Sequence, residues 1–298
     1  MGHPTEADEA RGQAWSLPEQ PRRTTQSRQT VFTLPAGASM NDLVNAQGQR
    51  STVSVIVAFF NEEEAIVPLV GRLLPVIARL NMDWKTELIL VNDGSVDGTW
   101  ALLNKEFATT PAGRTAILQH ATNLGLGAAM RTAFQAATGD IVCTIDSDCT
   151  YAPEELPALL DLLIRSGADI VTGSPYHPDA GGLDAPRWRL FLSKAANRLY
   201  ATVVPVKLYC YTSLFRAYRR EWARADFFRS NRFLAVSEIL VTAAFRGAKI
   251  VEYPVRLGKR SYGQSKMKVL RTALSHLGLM TKAATMRVTH KRRTGERK

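Results

Sequence analysis

From Thr52 onward, apolar and polar positions fall into two alternating periods. Val53-Ser54-Val55-Ile56-Val57-Ala58-Phe59-Phe60 is a nearly unbroken apolar run closed by Asn61, the pattern of a strand buried on both faces. Ile66, Leu69, Val70, Leu73, Leu74 and Ile77 then recur at helical spacing. A second strand, Glu87 to Val91, stops at Asn92-Asp93-Gly94-Ser95. The alternation continues with a helix near Asp97 to Phe107, a strand from Thr115 to Gln119, a helix from Leu126 to Ala137 and a strand from Asp140 to Ile145. A helix from Pro153 to Arg165, with proline at its start, leads into a strand from Asp169 to Thr172. Five strands alternating with four helices predict an α/β fold, a mostly parallel, doubly wound sheet with helices on both faces. In such sheets ligands bind beyond the carboxyl ends of the strands.

Residues 1–50 are rich in Pro, Gln, Thr, Arg and Gly without period, and read as a disordered basic leader carrying Arg22, Arg23 and Arg28. The body occupies 51–268. Beyond it Leu270, Leu274, Leu277, Ala284 and Val288 recur at roughly helical spacing among Lys268, Arg271, Lys282 and Arg287. Residues 269–298 are therefore an amphipathic helix and basic tail, which either covers the domain's flank or lies in a membrane interface.

Composition narrows the class. Of 298 residues, 45% are apolar and 22% charged, as in globular proteins. Three cysteines without a CxxC do not build a disulfide framework and fit a reducing, cytoplasmic compartment. No apolar run approaches a membrane span, and the opening His3, Glu6, Asp8 and Glu9 are unlike a signal peptide. The net charge of +11 points to anionic partners. Much of it sits from Lys282 to Lys298, seven basic residues against Glu296, as a solvated terminus or an attraction to anionic lipid. No arginine-aromatic interleaving supports nucleic acid.

Acids stand at three strand ends: Phe60-Asn61-Glu62, Asn92-Asp93-Gly94 and Asp146-Ser147-Asp148. Carboxylates two apart, just past a strand, suit one hard divalent cation that keeps waters and binds substrate phosphates. The other acids suit ribose hydroxyls and the polar edge of a base, because an ionised carboxylate only accepts hydrogen bonds. The competing use is helix capping, above all for Asp97 and Asp148. Asn123-Leu124-Gly125-Leu126-Gly127 follows the third strand rather than the first, and reads as a tight turn into a closely packed helix. Glu238, on an apolar helical pattern, is either a buried structural carboxylate or an active-site acid. Tyr209 and Tyr211 read as core, and Cys210 between them as packing.

Four of these blocks, Val57 to Glu63, Leu90 to Thr99, Asn123 to Gly127 and Asp146-Ser147-Asp148, resemble those of family 2 glycosyltransferases with the GT-A fold. Arg189 with Ser193, Thr212-Ser213-Leu214-Phe215-Arg216-Ala217-Tyr218 and Arg260-Ser261-Tyr262-Gly263-Gln264-Ser265-Lys266 are similar to the dolichol-phosphate mannosyltransferase, or polyprenyl-phosphate glycosyltransferase, group. The resemblance implies metal-dependent, inverting transfer of mannose or glucose from a GDP- or UDP-linked donor to a polyprenyl or dolichyl phosphate. It implies that Ala58, Phe60, Glu62, Val91, Asp93, Asp146 and Ser147 bind the donor, and that Asp146 and Asp148 hold Mg²⁺ or Mn²⁺. Asp148, Arg260 and Lys266 are the implied catalytic residues, the last two clamping the diphosphate. Arg189 and Ser193 are implied to meet the acceptor phosphate. The implied location is cytoplasmic, with peripheral contact through 269–298 on the cytoplasmic membrane face. The chain departs from the pattern at Asn92, Ala58 and Phe59, at Pro175 where the group carries an arginine, and at Cys210 where it carries an aspartate. Those departures leave two alternatives: a hydroxyl acceptor with Glu238 as base, and a non-catalytic nucleotide-sugar-binding protein.

Overall fold

The computed structural model describes residues 50–181, 187–259 and 269–294. The expected leader up to residue 49, the Arg260 to Lys266 loop and the last four residues of the tail lie outside them. The nine expected elements occur in order: β1 (Thr52–Phe59), α1 (Glu63–Leu80), β2 (Lys85–Asn92), α2 (Thr99–Glu106), β3 (Arg114–Gln119), α3 (Leu126–Ala136), β4 (Ile141–Asp146), α4 (Leu156–Ser166) and β5 (Ile170–Ser174). They are followed by α5 (Arg187–Val203), β6 (Arg216–Arg219), α6 (Leu234–Phe245), β7 (Ile250–Pro254) and α7 (Val269–Thr294). A 3₁₀ turn over Pro153–Glu155 precedes α4, whose own first turn holds Pro157, a place where the missing N–H is not needed.

The strands form one seven-stranded sheet in the order β3-β2-β1-β4-β6-β5-β7. All pairings are parallel except those of β6, which runs antiparallel to both β4 and β5. The continuous apolar runs are explained by cover on both faces. Val53, Val55, Val57 and Phe59 of β1 enter the core beneath α1, α2 and α4, while Ile56 enters a second core beneath α3, α5, α6 and α7. Strand β2 splits the same way, Leu88 and Leu90 to one side, Ile89 and Val91 to the other.

Tertiary packing overrides local propensity in α1, which continues through Pro68 and Pro75. Each proline removes a backbone donor, at about 3 kcal/mol in an isolated helix. Ile66, Leu69, Leu73, Val76, Ile77 and Leu80 are all buried, and that face holds the helix together.

Helix α7 covers the flank. Leu279, Met280 and Ala283 are buried against α5 and α6. Burial raises the Tyr200 phenol pKa and lowers that of the His276 imidazole, so two neutral groups share a hydrogen bond between the phenol oxygen and His276 Nδ1 at 2.7 Å. Leu274, Leu277 and Val288 stay exposed. No described helix is long and apolar enough to cross a membrane.

Candidate active site

Strand register assembles the first part of the site. Ala58 lies beside Val91 on one side and beside Asp146 on the other, so three expected donor residues form one row across β2, β1 and β4. Phe60, Glu62, Asp93, Ser147 and Asp148 follow on the turns just past these strands. The ladder persists beyond the strand ends, with Asp93 N–H donating to Phe59 O at 2.8 Å and His120 N–H to Asn92 O at 2.9 Å.

Two non-glycine residues beside this row have left-handed backbone, Asn61 at φ +51° and Cys149 at φ +55°. Such conformations persist where surrounding bonds over-determine them. Asn61 N–H donates to Ser95 Oγ at 2.8 Å, and its Oδ1 accepts from Val96 N–H at 2.9 Å. Glu62 N–H donates to Thr99 Oγ1 at 2.9 Å, and Glu63 Oε2 accepts from Gly98 N–H at 2.7 Å. The β1–α1 and β2–α2 turns are thereby one hydrogen-bonded body. Asp97 stands one residue before the α2 N-cap, Gly98, and turns the chain into the helix, its Oδ1 accepting from Thr99 N–H at 3.1 Å.

Asp93 is buried and holds the glycine-rich turn. Its Oδ1 accepts from Leu124 N–H at 3.0 Å and its Oδ2 from Gly125 N–H at 2.7 Å. His120 Nδ1 lies 2.6 Å from Asp93 Oδ1, and His120 Nε2 lies 2.9 Å from Thr132 Oγ1. Sequence reasoning missed His120: a single histidine at a strand end carries no spacing signal.

The turn itself confirms close packing. Gly125 has φ +99°, and a Cβ there would meet Asn231 O at 2.3 Å. A Cβ on Gly127 would meet Ser230 O at 2.1 Å. Gly127 N–H donates to Asn231 O at 2.8 Å. Behind that loop stands Glu238, whose Oε2 accepts from Arg229 N–H at 3.0 Å and Ser230 N–H at 2.8 Å. Of the two uses left open for Glu238, the structure displays the structural one.

Asp146 ends β4 and Asp148 lies two residues past it, both partly exposed. Asp148 Oδ1 accepts from Thr150 N–H at 3.0 Å and Thr150 Oγ1 at 2.8 Å, which fixes the turn. Among the described residues no group of three or more His, Cys, Asp or Glu side chains gathers as a metal centre. Two carboxylates alone fit a hard divalent ion that completes its shell with water and phosphate oxygens, and do not fit a closed structural site. A cavity of about 470 Å³ adjoins Asp148, walled by Arg72, Glu155, Arg256 and Lys259. Arg72 is forked onto Glu154 at 2.9 and 2.7 Å. Burial pushes the neighbouring Cys149 thiol up, so it stays a neutral thiol.

Of the residues expected to meet the acceptor, Ser193 lies on α5 near Tyr176, whose phenol is pushed up by burial. Arg189 falls in the first turn of α5, its side chain outside the described residues, and Arg260 and Lys266 are outside them altogether. Cys210 is buried and its thiol pushed up by that burial, in keeping with packing. Tyr211 is core, stacked on Tyr200 at 5.2 Å. Tyr209, expected in the core, is 51% exposed. Glu252 of β7 accepts its backbone N–H at 2.9 Å and that of Cys210 at 2.9 Å, which pins the chain and turns the Tyr209 ring outward, against His177.

Comparison with known proteins agrees with this geometry. The family model described as Glycosyl transferase family 2 matches residues 54–227. The polyprenol monophosphomannose synthase of Mycolicibacterium smegmatis is 32% identical over 219 residues, 72% of this chain and 80% of that protein. The dolichol-phosphate mannosyltransferase of Pyrococcus furiosus is 29% identical over 72% of this chain, which spans only 59% of that relative's length. Among solved structures, glucosyl-3-phosphoglycerate synthase from Mycobacterium tuberculosis, crystallised with Mn²⁺, UDP and phosphoglyceric acid, superposes with a TM-score of 0.58 at 22% identity, covering 77% of this chain and 78% of that one. That likeness establishes the GT-A type of fold. With the matched family running from β1 through β6 and including every strand-end acid discussed above, the chain belongs to glycosyltransferase family 2.

Proposed function

We propose that this protein is a metal-dependent, inverting glycosyltransferase that moves mannose or glucose from a nucleotide sugar to a polyprenyl phosphate. The observation carrying this reading is the row of Ala58, Val91 and Asp146 with Asp148 just past it. Relatives named for polyprenol-linked phosphomannose and dolichol phosphate support the acceptor.

Asp146 and Asp148 would hold Mg²⁺ or Mn²⁺, which when bound sets positive charge against the departing diphosphate. Ala58, Phe60, Glu62, Val91, Asp93 and Ser147 border the nucleoside. Arg260 and Lys266, assigned by resemblance, clamp the diphosphate, and Arg189 and Ser193 meet the acceptor. A phosphate acceptor is already anionic at neutral pH and attacks without a general base. Attack opposite the leaving group inverts the anomeric carbon. Glu238 holds two backbone amides through Oε2, a structural use that supports this reading over a hydroxyl acceptor that needs a base. Residues 51–268 form the catalytic body, and 269–298 rests its basic side on anionic lipid of the cytoplasmic membrane face.

The test is a panel of GDP- and UDP-hexoses with Mg²⁺ or Mn²⁺, with and without polyprenyl phosphate. An acid-labile lipid-phosphate sugar is expected. An ordinary glycoside, or transfer that persists in excess chelator, overturns the reading.

A further inference from the structure

Asp93 is limited in what else it can hold. An ionised carboxylate offers about four acceptor positions, two on each oxygen. Three are taken from within the protein: Oδ1 receives the Leu124 amide and His120 Nδ1, and Oδ2 receives the Gly125 amide. Because the carboxylate only accepts, His120 Nδ1 carries the proton, and the contact of Nε2 with Thr132 Oγ1 fixes the plane of the ring. The pair is well enclosed, with side chains 11% and 4% exposed for His120 and Asp93. Gly94, next to Asp93, adopts φ +66° against the Thr122 backbone, so the turns after β2 and β3 are locked face to face.

We infer that His120 is a positioning residue of the nucleoside site that, by filling Oδ1 of Asp93, selects uracil over guanine. Among the described residues, that leaves one acceptor position open, on Oδ2. Uracil presents a single N–H between two carbonyls and matches it. Guanine presents adjacent imino and amino N–H groups, which pair with a carboxylate through both oxygens, and here the second donor is left unmatched in a buried site. The inference rests on the proposal that Asp93 borders the nucleoside, and deepens it by naming the base.

The experiment is calorimetric titration of UDP and of GDP, each with Mn²⁺, into the full chain and into its His120→Ala and Thr132→Val variants. UDP is expected to bind about tenfold tighter than GDP, about the discrimination one unpaired buried donor brings. Opening Oδ1 in His120→Ala lowers that ratio about threefold or more. Thr132→Val loosens the ring without removing it, lowers the ratio by less, and stands in should His120→Ala fail to fold. A merely structural role for His120 weakens both nucleotides together, and an unchanged ratio in both variants overturns the inference. GDP binding as tightly as UDP overturns the base assignment while leaving the nucleoside site intact. Failure of both nucleotides to bind the parent protein overturns the site and the inference together.

Discussion

The Glu238 carboxylate on α6 holds the backbone amide of Ser230 at 2.8 Å. That bond is the rear of a chain of supports. Glu238 fixes the Arg229 to Asn231 loop, the loop's carbonyls meet Gly125 and Gly127, and the amides of Leu124 and Gly125 hold Asp93. A residue on one helix thereby orients a carboxylate at the far side of the site.

Substitution separates this role from proton abstraction. Glu238→Gln keeps an oxygen that accepts the two amides, and should leave the transfer rate within about threefold. Removal of a general base costs about a hundredfold or more. Glu238→Ala should lower stability by about 0.5–1.5 kcal/mol in urea denaturation, the range for hydrogen bonds whose freed amides can turn to water.

Gly127→Ala drives a methyl group into the Ser230 carbonyl and the Ala235 side chain. A loss of about 1–3 kcal/mol in urea is expected, with weaker nucleotide binding as the loop shifts. Gly71 is the control: nothing lies within 4 Å of a Cβ there, in the middle of α1, and Gly71→Ala should stabilise by about 0.5–1 kcal/mol.

Asp148→Asn keeps an acceptor for the Thr150 amide while removing the charge. Transfer should fall about a hundredfold or more while the thermal midpoint stays near that of the parent. Retention of full transfer would show that the second aspartate of the pair carries no part of the chemistry.

Acid should loosen α7. Burial holds the His276 pKa below its ordinary 6.5, so the unfolded chain takes up a proton more readily than the folded one. Stability is fully present above about 6.5 and declines as pH falls from there toward the folded value. The urea midpoint should drop between pH 7.5 and 5.5, and His276→Phe should flatten that drop.

The parallel strands and their acids were legible because strand burial is written twice, in apolar runs and in the abrupt polar turns that end them. β6 was not. It is four residues long and opens with Arg216, which reads as solvent-facing. The guanidinium is instead fully buried, donating to Thr172 Oγ1 at 3.0 Å, Val236 O at 2.5 Å and Tyr211 O at 2.9 Å. Three acceptors permit that burial, two of them, Thr172 and Val236, twenty or more positions away, and no local pattern records those two. His120 escaped for the same reason, since its partners Asp93 and Thr132 come from other elements. Tyr209 was misread because its outward ring follows from Glu252, a strand residue more than forty positions away.

The reversed direction of β6 has an architectural consequence. β5 reaches the catalytic edge of the sheet at Ser174, and β6 sets out from that same edge at Arg216. The stretch between them, α5 included, therefore leaves and returns on one side of the molecule, like a cassette clipped in at both ends. Its loops can be lengthened or shortened without rethreading any strand, so long as Tyr200 and Tyr211 keep their places in the core they share with Ile56 and Val91. A scaffold wired in this way can change what it glycosylates without changing how it holds an activated sugar.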